Sequence, residues 1–343
     1  MQKTRVTAMK NENKPVGLFL GAANAVDRAY SAAVRQTLAQ HLTLHDACFV
    51  SERSAQAFRD AAYLFSTWGM PALSEEAIKR IFPALKAVFY AAGSVQHFAR
   101  PFLESGVRVF SAWHANAVPV AETAAAEIIL ANKGFFQTVH HAQSSAWPEH
   151  DCGGPFPGNY NTRVGILGAG AIGTLVIKSL RSHSLNVLVF DPFLSEERAD
   201  ELHVTKFQTP EELFERCSVI SNHLADKPQT VGLIDRKCFE KMGRNAVFLN
   251  TGRGRTVNEP DLIAALTEQP TRAAVLDVTD PEPPEAGSKL YTLPNVFLTP
   301  HLAGALGNEV QRLGEAMLGE FLLLSQGKPT NYEVTQAMLD TMA

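Results

Sequence analysis

The stretch Val164-Gly-Ile-Leu167, Gly168-Ala-Gly170-Ala-Ile-Gly173, Thr174–Leu180, Val187-Leu-Val-Phe190 and Asp191 decides the fold. A short apolar run reads as a buried strand. A glycine-rich turn follows at once, then a helical run, then a second apolar run that ends on an acid. That order specifies a βαβ unit whose turn holds a dinucleotide. Gly168 permits a tight turn, Gly170 lets the backbone approach a pyrophosphate, and Gly173 lets the helix pack close to the strand. The helix start at Ala171 and Ile172 offers N–H groups and a positive dipole end to the same pyrophosphate. Asp191 is placed to accept hydrogen bonds from both adenosine ribose hydroxyls. A carboxylate there repels a 2′-phosphate, and Pro192 and Phe193 offer no cation to receive one, so NAD is favoured over NADP. Arg198, a few residues on, reads as part of a solvated helix face with Glu196 and Glu197.

Working outward, apolar and helical stretches alternate on both sides of this unit. Before it, Val16–Leu20, Ala61–Phe65, Ala87–Ala91 and Val107–Phe110 read as strands, with helices near Arg28–Gln40, Ser74–Ile81 and Phe98–Glu104. Such alternation argues for a parallel sheet covered by helices. Pro119 then opens a long helix, Val120–Lys133, in the first turn where proline is tolerated. Glu122 and Glu127 interrupt its apolar face. Ser144–Asn161 is rich in Pro, Gly and Asn and reads as a loop. After it, Ser218–Ser221, Ala246–Leu249, Ala273–Leu276 and Val296–Leu298 complete a second set of strands, with a helix at Glu259–Leu266. Leu306, Val310, Leu313, Met317, Phe321 and Leu324 recur at helical spacing and make one apolar face. That face needs a surface to cover, and the first half is its expected host. The expected organisation is a discontinuous first domain, 1–118 with 306–343 returning to it, and a nucleotide-binding domain, 119–305, inserted in it. Ligands of such sheets bind beyond the carboxyl ends of the strands, which places the expected active site in the cleft between the domains.

Composition narrows the function. A chain of 343 residues, 45% of them hydrophobic, suffices for two cores. A net charge of −4 gives no electrostatic reason to expect nucleic acid or an anionic membrane. Cys48, Cys152, Cys217 and Cys238 are scattered without metal or disulfide spacing, which fits a reducing compartment. No run is long and apolar enough to span a bilayer, and Val16–Leu20 is too short for a secretion signal. The expectation is a soluble cytoplasmic protein. His140 and His141 lack a third ligand at metal spacing, so no metal site is expected.

Three segments carry the chemistry, each at the carboxyl end of an expected strand: Phe248-Leu-Asn-Thr251-Gly252-Arg253-Gly254, Val275-Leu-Asp277-Val-Thr-Asp280-Pro-Glu282-Pro283, and Phe297-Leu-Thr-Pro300-His301-Leu-Ala-Gly304. Arginine, carboxylate and histidine thus arrive at one edge of one sheet. With the Ala92-Gly93-Ser94 turn, the Asn116–Glu122 helix entry and the glycine turn, these segments resemble, in order, the D-isomer-specific 2-hydroxyacid dehydrogenases, a family that includes phosphoglycerate, glycerate and D-lactate dehydrogenases.

The resemblance implies an α/β fold in which a Rossmann nucleotide-binding domain is inserted into a flavodoxin-like substrate domain. It also implies a homodimer and NAD-dependent hydride transfer between a small D-2-hydroxy acid and its 2-keto acid. His301 would be the general acid and base, since its ordinary pKa lies near neutrality. Glu282 would bond the other ring nitrogen, fix the tautomer and raise the histidine pKa. Asp280 is equally acidic, but the spacing of Glu282 from Asp277 matches the family. Arg253 would grip the substrate carboxylate and polarise the keto oxygen with a planar, permanently charged fork. Asp277 matches a contact to the nicotinamide carboxamide, Thr251 and Gly252 line the cofactor, and the backbone of Gly93, Ser94 and Val95 matches a turn that holds the substrate carboxylate.

Several positions depart from the family pattern. Val95 and Gln96 are less usual in the carboxylate turn, Ala225 stands where a proline is common, and Trp147–Asn161 does not align. Trp68, Gly69 and Met70 are expected to line the substrate pocket. His114 is placed to face the cleft, and His223 to line the cofactor groove, by its backbone rather than its imidazole. Formate dehydrogenases share the architecture but pair their histidine with glutamine, so Glu282 argues against them. The alternative from another class is an NADH-sensing corepressor or scaffold of the same fold, like the C-terminal-binding-protein corepressors, without significant turnover.

Overall fold

A computed structural model describes residues 14–47, 55–139, 156–340 and 342. The strands among them, in chain order, are β1 (Val16–Leu20), β2 (Thr43–Ala47), β3 (Ala61–Ser66), β4 (Ala87–Tyr90), β5 (Arg108–Ser111), β6 (Tyr160–Leu167), β7 (Ser184–Phe190), β8 (Thr205–Phe207), β9 (Val219–Asn222), β10 (Val247–Asn250), β11 (Ala273–Leu276), β12 (Val296–Leu298) and β13 (Glu333–Val334). They form two sheets, and the chain divides into two compact units: Met1–Trp113 with Val310–Leu339, and His114–Glu309 with Asp340–Ala343. These boundaries differ from 118/119 and 305/306. The first falls after the opening residue of the helix Trp113–Asn132, so all of that helix but Trp113 belongs to one unit.

The first unit holds the sheet β13-β5-β4-β3-β1-β2. Its strands are parallel except β13, which runs antiparallel to β5. The order β2-β1-β3-β4-β5 is the flavodoxin-like order. Its core is aromatic. Phe65, Phe89 and Phe110 stack across neighbouring strands, with centroids 5.2 and 4.9 Å apart. Phe321, from the helix Glu309–Ser325, meets Phe65 and Phe89 edge-on at 5.7 and 5.8 Å. The apolar face of that helix therefore covers this sheet. The edge strand β13 is secured by the Arg108 guanidinium, which donates to both carboxylate oxygens of Glu333 (2.7 and 2.5 Å).

The second unit holds the all-parallel sheet β12-β11-β10-β9-β6-β7-β8. Its order reverses between β6 and β9, the switch point at which Rossmann sheets bind their ligand. β9, β10 and β11 are buried along their whole length, as parallel strands covered on both faces must be.

Several elements differ from the sequence expectation. The helix expected over Arg28–Gln40 is two, Ala23–Ala29 and Ala32–His41. Ser31 caps the second by accepting from the Val34 N–H, while the Tyr30 hydroxyl donates to the carbonyls of Phe89 and Ser66 (2.7 and 3.1 Å) and anchors the break. Pro119 does not open its helix but lies inside Trp113–Asn132, so the Ala115 carbonyl has no intrahelical donor there. β2, β8 and β13 were not legible, being short edge strands with polar or charged residues. β6 begins at Tyr160, inside the stretch read as a loop. Residues 144–155 of that stretch, His140, His141, Cys48 and Cys152 lie outside the described residues. Cys217 and Cys238 are free and buried. No helix among the described residues is long and apolar enough to cross a membrane, and no cluster of His, Cys, Asp and Glu among them is arranged to hold a metal ion.

Candidate active site

The glycine turn joins β6 to the helix Ala171–Leu180. Gly168 has φ +87°, and a side chain there would press on the His223 carbonyl oxygen at 3.0 Å. A Cβ at Gly173 would collide with the Gly168 carbonyl, whereas one at Gly170 would meet nothing within 4 Å. The turn is thus closed on its protein side and open at Gly170, above the N-terminus of the helix, as a pyrophosphate requires. Asp191, at the end of β7, accepts from the Ala169 N–H through Oδ2 (2.7 Å) and from the Phe193 N–H through Oδ1 (2.8 Å). The acid is therefore locked to the turn it serves, with acceptor capacity left on each oxygen. These residues fit an NAD: a glycine cradle, a helix start and a fixed carboxylate.

His223 follows β9. Its carbonyl backs Gly168, and its imidazole is buried between Ser221 Oγ (3.0 Å) and Thr251 Oγ1 (3.4 Å). Burial pulls its pKa down to about 3, so the ring is neutral and structural. Next to it runs a polar network that sequence reading missed. Asn222 and Asn250 sit side by side in register, both buried. Asn222 Nδ2 donates to Asn250 Oδ1 (2.9 Å) and Thr256 Oγ1 (2.8 Å), and Asn250 Oδ1 also accepts from the Gly252 N–H (3.1 Å). Asn250 Nδ2 and Thr256 Oγ1 both donate to the Arg253 carbonyl (3.3 and 2.7 Å). The signal was present, since polar residues closing two buried parallel strands need partners.

This network fixes the backbone that carries Arg253. The guanidinium donates to the Gly252 carbonyl (2.8 Å), its one acceptor among the described residues. Burial lowers its pKa, while the charges of Asp226 and Glu282 act to raise it. Asp226 also pairs with Arg255 at 3.1 Å. A Cβ at Gly254 would collide with the Thr279 carbonyl, so the Arg253 loop lies directly on the loop that leads to Glu282.

Asp277 closes β11 and is 3% exposed. Its Oδ1 accepts from Thr299 Oγ1 (2.7 Å) and the Leu302 N–H (2.7 Å), and its Oδ2 from the Ala303 N–H (3.0 Å). The carboxylate therefore grips the 299–303 turn from within. His301, inside that turn, has φ +53°, a left-handed conformation uncommon outside glycine. Its N–H points to the carbonyls of Asp277 and Thr299 (3.0 Å each). Surroundings that over-determine such a residue are a mark of functional sites. The His301 ring meets Glu282 Oε1 through Nδ1 at 2.8 Å. Nδ1 facing a carboxylate is the protonated nitrogen, which leaves Nε2 without a protein partner among the described residues.

Behind Asp277 stands Glu127, on the helix Trp113–Asn132. Its Oε2 is buried without a hydrogen-bond partner. Burial pushes its pKa up to about 7, and the charge of Asp277 adds to the rise. The sequence showed only an acid interrupting an apolar face. His114, at the start of that helix, is exposed.

In the first unit, the turn after β4 is held from below: Ser111 Oγ donates to the carbonyls of Ala92 (2.9 Å) and Gly93 (2.6 Å). The N–H groups of Gly93, Ser94 and Val95 have no acceptor among the described residues. Successive free N–H groups of this kind make an anion-binding concavity. Val95 is buried as a whole residue, whereas Gly93 and Ser94 are partly exposed. Met70 is 3% exposed and offers almost no surface to solvent.

Comparison with known proteins agrees with this geometry. A family model described as "D-isomer specific 2-hydroxyacid dehydrogenase, NAD binding domain" matches residues 125–303. The D-3-phosphoglycerate dehydrogenase of Archaeoglobus fulgidus is 30% identical over 232 residues, 67% of this chain and 43% of that protein. The matched part of the chain thus spans less than half the length of that relative. Among solved structures, D-mandelate dehydrogenase of Rhodotorula graminis has TM-score 0.80 at 19% identity, covering 94% of this chain and 98% of that one. D-lactate dehydrogenase with NAD+ from Lactobacillus jensenii has TM-score 0.75 at 20% identity, covering 94% and 100%. At such identities these two show the fold alone.

Proposed function

Because the chain belongs to the D-isomer specific 2-hydroxyacid dehydrogenase family, we propose that it is an NAD-dependent oxidoreductase that interconverts a small D-2-hydroxy acid and its 2-keto acid. The observation that carries the reading is the His301 Nδ1–Glu282 Oε1 contact at 2.8 Å, in a turn clamped by Asp277. It leaves Nε2 as the one ring nitrogen available to a substrate oxygen. Bound NAD supplies the hydride acceptor, and NADH the donor.

In the oxidation direction His301 Nε2 takes the hydroxyl proton, and the imidazolium that forms is stabilised by Glu282. In reduction the same nitrogen returns the proton to the developing alkoxide. Arg253 binds the substrate carboxylate and polarises the keto oxygen. Its guanidinium is half-buried and makes one protein hydrogen bond, so donors remain for a ligand. The family resemblance gives the backbone of Gly93, Ser94 and Val95 a carboxylate-binding role too, and their N–H groups have no acceptor among the described residues. Asp277 positions the His301 turn and would accept from the nicotinamide carboxamide of a bound NAD. Asp191 takes the adenosine ribose and disfavours a 2′-phosphate.

We further infer a homodimer. Leu130 at the end of the helix Trp113–Asn132, Phe135 on the short helix that follows, and Val139 just beyond it are 40, 42 and 37% exposed, an apolar face that a second copy would cover.

The test is NADH oxidation with a panel of 2-keto acids, in wild type and His301→Ala. Replacement should lower kcat by roughly 10² to 10⁴, the usual weight of a general acid–base, while the Kd for NADH stays near wild type. Most of the activity surviving in His301→Ala would remove the acid–base assignment. NADH binding without reduction of any acid would favour a nucleotide sensor.

A further inference from the structure

We propose that Trp68 forms the subsite for the substituent of the 2-keto acid and selects an uncharged, apolar group, aryl or branched alkyl, over a phosphorylated or carboxylated one. This rests on the dehydrogenase reading above and specifies its substrate class.

Trp68 lies where β3 runs out, at the end of the sheet where α/β folds bind ligands. Thr67–Met70 is a tight turn closed by the Met70 N–H donating to the Thr67 carbonyl (3.1 Å). Gly69, with φ +90°, occupies its third position, where a type II turn requires glycine. Trp68 is therefore the apex, and its large ring is 39% exposed. The turn is rigid on three sides. A Cβ at Gly69 would stand 3.2 Å from the Ala22 nitrogen, so its backbone rests on the exit of β1. The buried Thr67 hydroxyl donates to the Ala91 carbonyl (2.8 Å), and the Met70 carbonyl meets His97 Nε2 at 3.2 Å.

Those last two contacts tie the Trp68 turn to the turn with three free N–H groups at Gly93, Ser94 and Val95. β3 and β4 are neighbours, with Ser66 opposite Tyr90, so the two turns leave the sheet about 4.8 Å apart. A carboxylate held on those N–H groups puts the substituent of a 2-keto acid one strand over, against an indole face. The charge pattern sets what that substituent is. Among the described residues, the segments leaving β1, β3, β4 and β5 at this end (21–22, 67–74, 91–98 and 112) contain no Lys, Arg, Asp or Glu. A phosphate or second carboxylate would meet no cation on these segments, whereas an apolar group gains an aromatic surface.

The experiment measures kcat/KM with NADH for glyoxylate, phenylpyruvate, 4-methyl-2-oxopentanoate, oxaloacetate and 3-phosphohydroxypyruvate, in wild type, Trp68→Ala and Trp68→Phe. Wild type should favour the two apolar acids over the two charged ones by about tenfold or more, the scale of discrimination a hydrophobic contact gives. Trp68→Ala should lower the phenylpyruvate-to-glyoxylate ratio about tenfold, mainly through KM, and Trp68→Phe should restore most of it. NADH affinity reports that each variant is folded. A preference for the phosphorylated or dicarboxylic acid, or a ratio that Trp68→Ala does not move, overturns the assignment. If the wild type binds NADH yet reduces none of the acids, glyoxylate included, the dehydrogenase reading itself falls and takes this inference with it.

Discussion

Glu127 should make the stability of this protein depend on pH in a way that one substitution abolishes. Its carboxyl pKa is raised from 4.5 to about 7, first by burial and then by the Asp277 charge. For an acid whose pKa is higher folded than unfolded, the associated stability is fully present below the unfolded value and is lost as pH rises through the folded one. The window therefore runs from 4.5 to about 7. At 1.36 kcal/mol per pH unit, its ionisation costs roughly 3 kcal/mol once complete. Glu127→Gln keeps the shape of the side chain and removes the titration. Thermal melts of both proteins at pH 5 and pH 8.5 isolate the term: wild type should lose roughly 6 to 12 °C more than the variant between the two pH values. Asp277→Asn in the Glu127 background should narrow the window, because the second carboxylate is one of the causes of the shift. Parallel pH slopes for wild type and Glu127→Gln would show that the carboxyl finds a partner or water when it ionises, and the reasoning would fail.

Other expectations follow from the same geometry. Asp277→Asn replaces one acceptor of the 299–303 turn with a donor; leaving buried N–H groups unpaired should cost roughly 1–3 kcal/mol, and kcat should fall with His301 misplaced, which steady-state kinetics with melting curves would show. His223, held neutral by burial with a pKa near 3, titrates at 6.5 when unfolded. Its contribution is present above 6.5 and is lost as pH falls toward 3, so wild type should be more acid-labile than His223→Gln in denaturant titrations at pH 4. Asp191→Ala should raise the ratio of NADPH to NADH affinity, measured by fluorescence titration; an unchanged ratio would remove the cofactor argument. Charge placed in the apolar face by Phe135→Asp should lower the mass measured by light scattering if that face joins two copies.

Local chemistry wrote the nucleotide unit into the chain. A strand, three glycines, a helix and an acid lie within 28 consecutive residues, 164–191. Turn geometry and helix dipole act over such short distances that the spacing alone specifies the site. Asp191 bonding back to the Ala169 N–H is the same local logic closing on itself. The fully buried strands β9, β10 and β11 were legible for a related reason: an apolar run covered on both faces needs no alternation to be recognised. Edge strands such as β2 and β13 were not, because their residues answer to solvent and to one neighbour.

The partners of the chemical residues come from distant contacts. In the sequence Asp277, Asp280 and Glu282 are three acids in one loop. In the structure Asp277 turns inward to hold the 299–303 turn, and Glu282 reaches His301 Nδ1. Likewise Glu127 looked like a break in an apolar helix face, and only burial beside Asp277 gives it a proton to hold near neutrality. Pattern and spacing determine which residues arrive at a sheet edge, since backbone preferences are local. Which nitrogen is left free, which carboxylate is charged and which aromatic is exposed depend on the dielectric and partners that packing supplies, and those exist only once segments far apart in the chain have met.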